Sequence, residues 1–199
     1  MASEPARMVA SSFRDPNGFL FVRDGTLYRQ INKAAKADYD LLMNSGCYDS
    51  LATDGILVTH QEVEMTGPRP ERQYRIIKPA RVPFISYPYE WCFSALKSAA
   101  LLTLDLQKRA IEFGMSLRDA SAYNIQFVDG SPLLIDTLSF EKLAPGRPWV
   151  AYRQFCQHFL APLALMSTTD VRLGQLLRIH IDGIPLDLAS ALLPRRTRF

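Results

Sequence analysis

The chain has 199 residues, 48% of them hydrophobic and 22% charged, the composition of an ordinary globular fold rather than a collagenous or disordered one. Its length allows one large domain or two small lobes that bury roughly 70% of the unfolded surface. The net charge of +3 is accounted for by Arg195, Arg196 and Arg198, so residues 1–194 sum to zero, which argues against a nucleic-acid-binding face; no apolar run reaches the ~18 residues that span a bilayer.

Residues 1–12 read as a flexible arm, and "MASEPARMVASSF" lacks the apolar segment of a secretory signal. "NGFLFVRDGTLYRQI" (17–31) reads as a hairpin, two β-rich runs joined at Asp24-Gly25, a pair that primed turns favour. "NKAAKADYDLLMNSG" (32–46) has helical spacing with Ala35, Tyr39, Leu42 and Met43 on one face and Gly46 as its stop. "YDSLATDG" continues as a short helix or turn. "ILVTHQEV" (56–63), "YRIIK" and "VPFISYPYEW" read as strands, the last of edge or connector type because of Pro83 and Pro88.

From Trp91 the period changes to that of a long helix ending at Gly114, with positions 93, 96, 100, 104 and 111 on its apolar face. A loop, a hairpin (125–136) turning at Asp129-Gly130, a helix over 150–166 bent or divided at Pro162, and two shorter helices follow. Cys47, Cys92 and Cys156 are widely spaced and odd in number, which predicts buried thiols in a reducing compartment and a cytoplasmic protein. The expected fold class is α+β, two-lobed, with a β-rich part over 13–88 and a mainly helical part over 89–199.

The chemistry concentrates in "LRDASAYNIQF" and "PLLIDTLSF". A hairpin over 125–136 brings Asn124, just before its first strand, opposite Asp136, at the end of its second, with Asp119 on the loop beside them. An amide oxygen and a carboxylate converging there are hard ligands suited to Mg²⁺ with phosphate oxygens, and a further carboxylate suits deprotonation of a hydroxyl. Each of the three residues alone also suits a turn or strand end; their joint spacing sets them apart. His60, His158 and His180 show no ligand spacing, and His158 reads as a packed residue. Ser11 and Ser12 lie in no G-x-S-x-G elbow.

"LRDASAYNIQF…PLLIDTLSF" resembles the catalytic loop and metal-binding segment of protein-kinase-like phosphotransferases, among them the aminoglycoside and choline kinases. The resemblance implies a kinase-like fold that binds ATP and Mg²⁺, with Asp119 as catalytic base and Asn124 and Asp136 as metal ligands. It sets Arg29 of "LYRQI" at the nucleotide-binding strand lysine, with Lys33 and Lys78 as rivals and Asp38 or Asp40 as the paired acid. Tyr87, in the aromatic run at the boundary between the two parts, is expected beside the cofactor. Leu117 replaces the usual His, Thr137-Leu138 replaces Phe-Gly, and no G-x-G-x-x-G loop is present; Gly18 and Gly25 only flank a hairpin.

A second resemblance covers nearly the whole chain. "SFRDPNGFLF", "YDLLMNSGCYDSL", "FISYPYEW" and "WVAYRQFCQHFLAPLA" are similar to the N-terminal region of a family of larger bacterial proteins, some linked to nodulation, described as SAM-dependent methyltransferases. No strand ends in an E/D-x-G-x-G-x-G loop here, so no SAM site is expected. The two functional expectations are an ATP/Mg²⁺-dependent phosphotransferase acting on an unknown acceptor, and a non-catalytic kinase-like module that binds a nucleotide or a downstream methyltransferase domain.

Overall fold

The computed structural model describes residues 7–9 and 15–194. Ser11, Ser12, Arg195, Arg196 and Arg198, and all of the expected arm except residues 7–9, lie outside the described residues. The fold is mixed α+β, a small antiparallel sheet followed by several helices.

Five strands make the main sheet: β1 (Arg7–Met8), β2 (Gly18–Arg23), β3 (Thr26–Asn32), β4 (His60–Val63) and β5 (Gln73–Pro79), in the order β1-β2-β3-β5-β4 with every neighbour antiparallel. The β2–β3 turn sits at Asp24-Gly25, where both residues have positive φ (48° and 69°) as a type I′ turn requires. Helices α1 (Lys36–Asn44) and α2 (Cys47–Thr53) follow β3, separated by Gly46 in the left-handed region at φ 84°. Ala35, Tyr39 and Leu42 are buried as their spacing predicts, and Met43 is half-buried.

The stretch 56–63 is a strand only from His60. Ile56 and Val58 exchange backbone hydrogen bonds with Leu134 of the later hairpin instead. "VPFISYPYEW" forms no strand; it leads into a single 3-10 turn, Pro88–Glu90, because its prolines lack the N–H that a ladder needs. α3 (Phe93–Glu112) is the long helix. Its buried stripe runs through Leu96, Ala99, Thr103, Leu106 and Ala110, whereas Leu104 and Ile111 are 43% and 47% exposed. Of the expected positions Leu96 and Ala100 are buried and Phe93 is half-buried, while the buried face turns toward Ala99, Thr103, Leu106 and Ala110 and leaves positions 104 and 111 outside it.

β6 (Met115–Leu117) begins after Gly114. The hairpin β7 (Ile125–Val128) and β8 (Ser131–Leu134) turns at Asp129-Gly130, both with positive φ, and β9 (Phe140–Lys142) pairs with β6. The expected helix over 150–166 is α4 (Tyr152–Phe155), a π-helical segment (Cys156–Leu160) and α5 (Ala161–Thr168). The irregularity lies just before Pro162, whose missing N–H leaves a helical hydrogen bond unmade one turn earlier. Val171–Arg178 is 3-10 rather than α, and α6 (Leu186–Leu192) is the last described helix.

The largest core lies under α3, where Leu96, Leu106, Met115, Phe140 and Phe159 are fully buried together; Ile31, Tyr39, Ile77 and Leu138 form a smaller core between the sheet and α1. The cysteines are free. Cys47 and Cys156 are buried as expected, and burial lifts the Cys47 thiol to about 11; Cys92 is exposed, because it precedes α3 on the open connector. Among the described residues no helix is long and apolar enough to cross a membrane.

Candidate functional site

β3 carries Arg29 in register with Leu20 on β2 and Ile77 on β5. The guanidinium leaves the sheet and meets the start of the segment after β8, where Nη1 donates to Asp136 Oδ1 at 2.5 Å. Nη2 lies 3.6 Å from Asp15 Oδ2. Asp136 Oδ1 also accepts from Leu138 N at 2.8 Å, capping the 3-10 turn Thr137–Ser139. One carboxylate thus serves a turn and an ion pair at once.

Asn124 ends the 3-10 turn Ala122–Asn124, and its carbonyl accepts from Ile135 N at 2.8 Å. This backbone bond brings Asn124 beside Asp136, as hairpin geometry predicts. The Asn124 amide Nδ2 donates to Ser139 Oγ at 3.3 Å, which leaves Oδ1 as the donor atom for a cation. Asp119 sits on the preceding loop; its Oδ1 accepts from Ser121 N and from Gln154 Nε2, each at 2.9 Å. Gln154 of α4 closes the grip by accepting from Ala120 N at 2.7 Å.

Arg29, Asp119, Asn124 and Asp136 line one cleft of about 330 Å³ between the sheet and the hairpin. Leu20, Val58, Ile77 and Ile135 supply apolar wall, and Asp15 and His60 add polar groups. An apolar cleft with a few convergent polar groups is the usual form of a ligand site.

Tyr87 stands apart. It is 44% exposed, stacks on Tyr89 at 5.5 Å and lies 6.4 Å from Tyr123, outside the residues that line the cleft. Neither Tyr87 nor Tyr123 fills the cleft. Lys33 donates to the Glu71 carbonyl, so it is not aimed at Asp136. The expected acids of α1 do not pair with Arg29 either. Asp40 takes Lys36 and the Tyr74 hydroxyl. Asp38 takes Arg118 Nη1 at 3.4 Å and Lys142 N at 3.0 Å. Arg29 instead uses Asp136 and Asp15, because α1 turns Tyr39 rather than an acid toward the inside of the sheet. Arg118 also donates to the Leu138 carbonyl at 2.6 Å, tying the loop before Asp119 to the segment after Asp136 and to α1.

Asp15, Val58, His60 and Gln154 escape a reading of the sequence. Asp15 lies in "DPNG", an ordinary turn composition, and His60 merely opens a strand. Burial pushes His60 down to about 4, with Glu62 opposing and the Arg29 charge assisting. Burial also lowers His158, against the opposing charges of Asp119 and Asp182. Among the described residues no group of three or more His, Cys, Asp or Glu is placed to hold a metal ion. Asn124 and Asp136 are oxygen donors only, the set that suits Mg²⁺ sharing its shell with phosphate and water.

No protein-family model matches the chain. The chain is 35% identical over 189 residues to the nodulation protein NoeA of Rhizobium meliloti (strain 1021); the match covers 92% of this chain and 38% of that protein. The chain therefore spans little more than a third of the length of that relative. Among solved structures it is similar to vaccinia related kinase 3, at 13% identity with a TM-score of 0.40, over 70% of this chain and 48% of that one.

Proposed function

We propose that this chain is a two-lobed, protein-kinase-like domain whose cleft binds an Mg²⁺–nucleotide, ATP in the first instance, and presents an acceptor hydroxyl to Asp119. The observation that carries the reading is the Arg29–Asp136 contact at 2.5 Å in a cleft also lined by Asp119 and Asn124. A strand cation meeting the carboxylate after a hairpin, with an Asn opposite and an Asp on the loop before it, matches the "RD…N…D" pattern of the sequence.

In this reading Asn124 Oδ1 and Asp136 hold the metal and Arg29 takes the role of the strand lysine. Bound there, the metal and nucleotide would supply charge neutralisation and the phosphoryl group. Asp119 is held by Ser121 N and Gln154 through Oδ1 alone, which leaves Oδ2 to orient a hydroxyl and accept its proton. Leu20, Val58 and Ile77 exclude water from one wall.

A second reading is a non-catalytic nucleotide- or partner-binding module working beside a methyltransferase domain in a longer nodulation protein. The 38% span of the nodulation relative favours it. Calorimetric titration with ATP and Mg²⁺ tests for the nucleotide site, and turnover on a hydroxyl acceptor separates the two readings. The phosphotransferase reading expects metal-dependent binding that Asp136→Asn abolishes, together with turnover on some hydroxyl acceptor that Asp119→Asn removes. Wild-type protein that takes up no Mg²⁺–nucleotide would overturn it.

A further inference from the structure

Two acids share the Arg29 guanidinium, and they hold it unequally. Nη1 donates to Asp136 Oδ1 at 2.5 Å. Nη2 lies 3.6 Å from Asp15 Oδ2, roughly 0.7 Å beyond an ordinary N–H···O bond. Nε has no partner among the described residues, so the head of the side chain is fixed through Nη1 and Nη2.

The turn that carries Asp15 is firmly tied. Asp15 Oδ1 accepts from Asn17 N and Nδ2, each at 2.9 Å. The Pro16 carbonyl accepts from Asn32 Nδ2 at 2.9 Å, and the Asn17 carbonyl from Asn32 N at 2.8 Å. Asn32 ends β3, the strand of Arg29, so Asp15 and Arg29 belong to one anchored unit and Oδ2 is the oxygen turned to the guanidinium. Asp136 belongs to another segment, and its Oδ1 also serves Leu138 N. The cleft is lined by three carboxylates, Asp15, Asp119 and Asp136, against one guanidinium, and burial keeps His60 neutral. That balance leaves it short of positive charge. A second cation on Asp136 would stand within a few ångströms of Arg29, and like charges on one carboxylate repel. A short swing takes the guanidinium from Asp136 to Asp15 without exposing it.

We propose that Asp15 is the positioning residue of Arg29: it receives the guanidinium when Asp136 gives it up for a divalent cation. Arg29 is then a resident counter-cation that is exchanged for the metal. The exchange rests on the reading of Asn124 and Asp136 as metal ligands. In it Asp15 does the work expected of an α1 acid, since Asp38 and Asp40 are held by Lys142 N and by Tyr74.

Mn²⁺ takes the same all-oxygen sites as Mg²⁺, and its free form is counted by EPR as it is titrated into the full chain. Arg29→Met removes the competing charge and should raise Mn²⁺ affinity roughly tenfold. Asp15→Asn takes away the second seat of the guanidinium and should lower affinity by a similar factor. In an Arg29→Met background the same change should matter far less, because no guanidinium is left to receive. A carboxylate acting on the metal only through space would weaken binding at least as much in that background. Equal effects of Asp15→Asn in the two backgrounds, or no gain in Arg29→Met, overturn the exchange. Should Arg29→Met fail to fold, a crystal of the wild-type chain soaked in Mn²⁺ decides. Nη2 should then lie within hydrogen-bond distance of Asp15 Oδ2 and Nη1 away from Asp136; an Nη1–Asp136 bond kept beside bound metal overturns the exchange. Wild-type protein that takes up no Mn²⁺, alone or with ADP, or whose uptake survives Asp136→Asn, overturns the metal reading and the exchange with it. Uptake that Asp136→Asn abolishes and Arg29→Met leaves unchanged overturns the exchange alone.

Discussion

Arg29 is held between Asp136 and Asp15 at the edge of the cleft, and neither carboxylate has another cation beside it in the described structure. Arg29→Met leaves both without their charge partner in a half-buried setting. The expected loss is roughly 2 kcal/mol in urea unfolding, with Arg29→Lys recovering part of it. Asp119→Asn keeps an oxygen for Ser121 N and Gln154. Its unfolding free energy should stay within about 0.5 kcal/mol of wild type, while single-turnover phosphate transfer, in the phosphotransferase reading, falls ~10²–10⁴-fold with nucleotide affinity unchanged. His60 gives a pH test. Its folded value near 4 lies below the 6.5 of a free imidazole, so the unfolded chain binds more protons between those values. Stability therefore rises with pH across that window and is lost as pH falls through it. His158 is lowered by burial too and acts in the same sense. Urea midpoints at pH 4.5 and 7 should show the slope, and His60→Phe should flatten it.

At the scale of elements, α3 tests which side chains make a helix face. Ala99 is fully buried and Leu104 is 43% exposed. Ala99→Leu should cost about 1–3 kcal/mol by overpacking, whereas Leu104→Ala should stay within about 0.5 kcal/mol, both by urea melts. The helix, the two Asp-Gly turns and the hairpin before Asp136 were legible because each is set by local chemistry: a period, a left-handed glycine, an alternation. β6 and β9 were not, because three-residue strands have no period of their own and exist only through pairing with each other. Nor was the division of strand 56–63. Its first residues pair with Leu134, which lies some 76 positions away, and no local pattern announces such a partner.

For the whole molecule, the joint between the sheet and the segment after Asp136 is closed by Gly18. A Cβ there would sit 2.4 Å from the Gln30 carbonyl and 2.7 Å from Leu138 Cδ1, so the missing side chain serves a close approach rather than a phosphate cover. Gly18→Ala must push aside the Gln30 backbone and the Leu138 side chain and should lose about 1–3 kcal/mol; its melting point against wild type checks this. The pattern of residues alone carried the α+β class, the hairpin that sets Asn124 beside Asp136, and Asp119 on the neighbouring loop, because short spacings and turn chemistry act within a dozen residues. Arg29 as the partner of Asp136, Asp15 as its second acid, and Tyr39 turned inward instead of an α1 carboxylate were decided by the packed structure. Charges and hydrogen-bond partners up to 107 residues apart are chosen by where the chain closes on itself, and the packing of strand, helix and turn against one another, not sequence spacing, sets that.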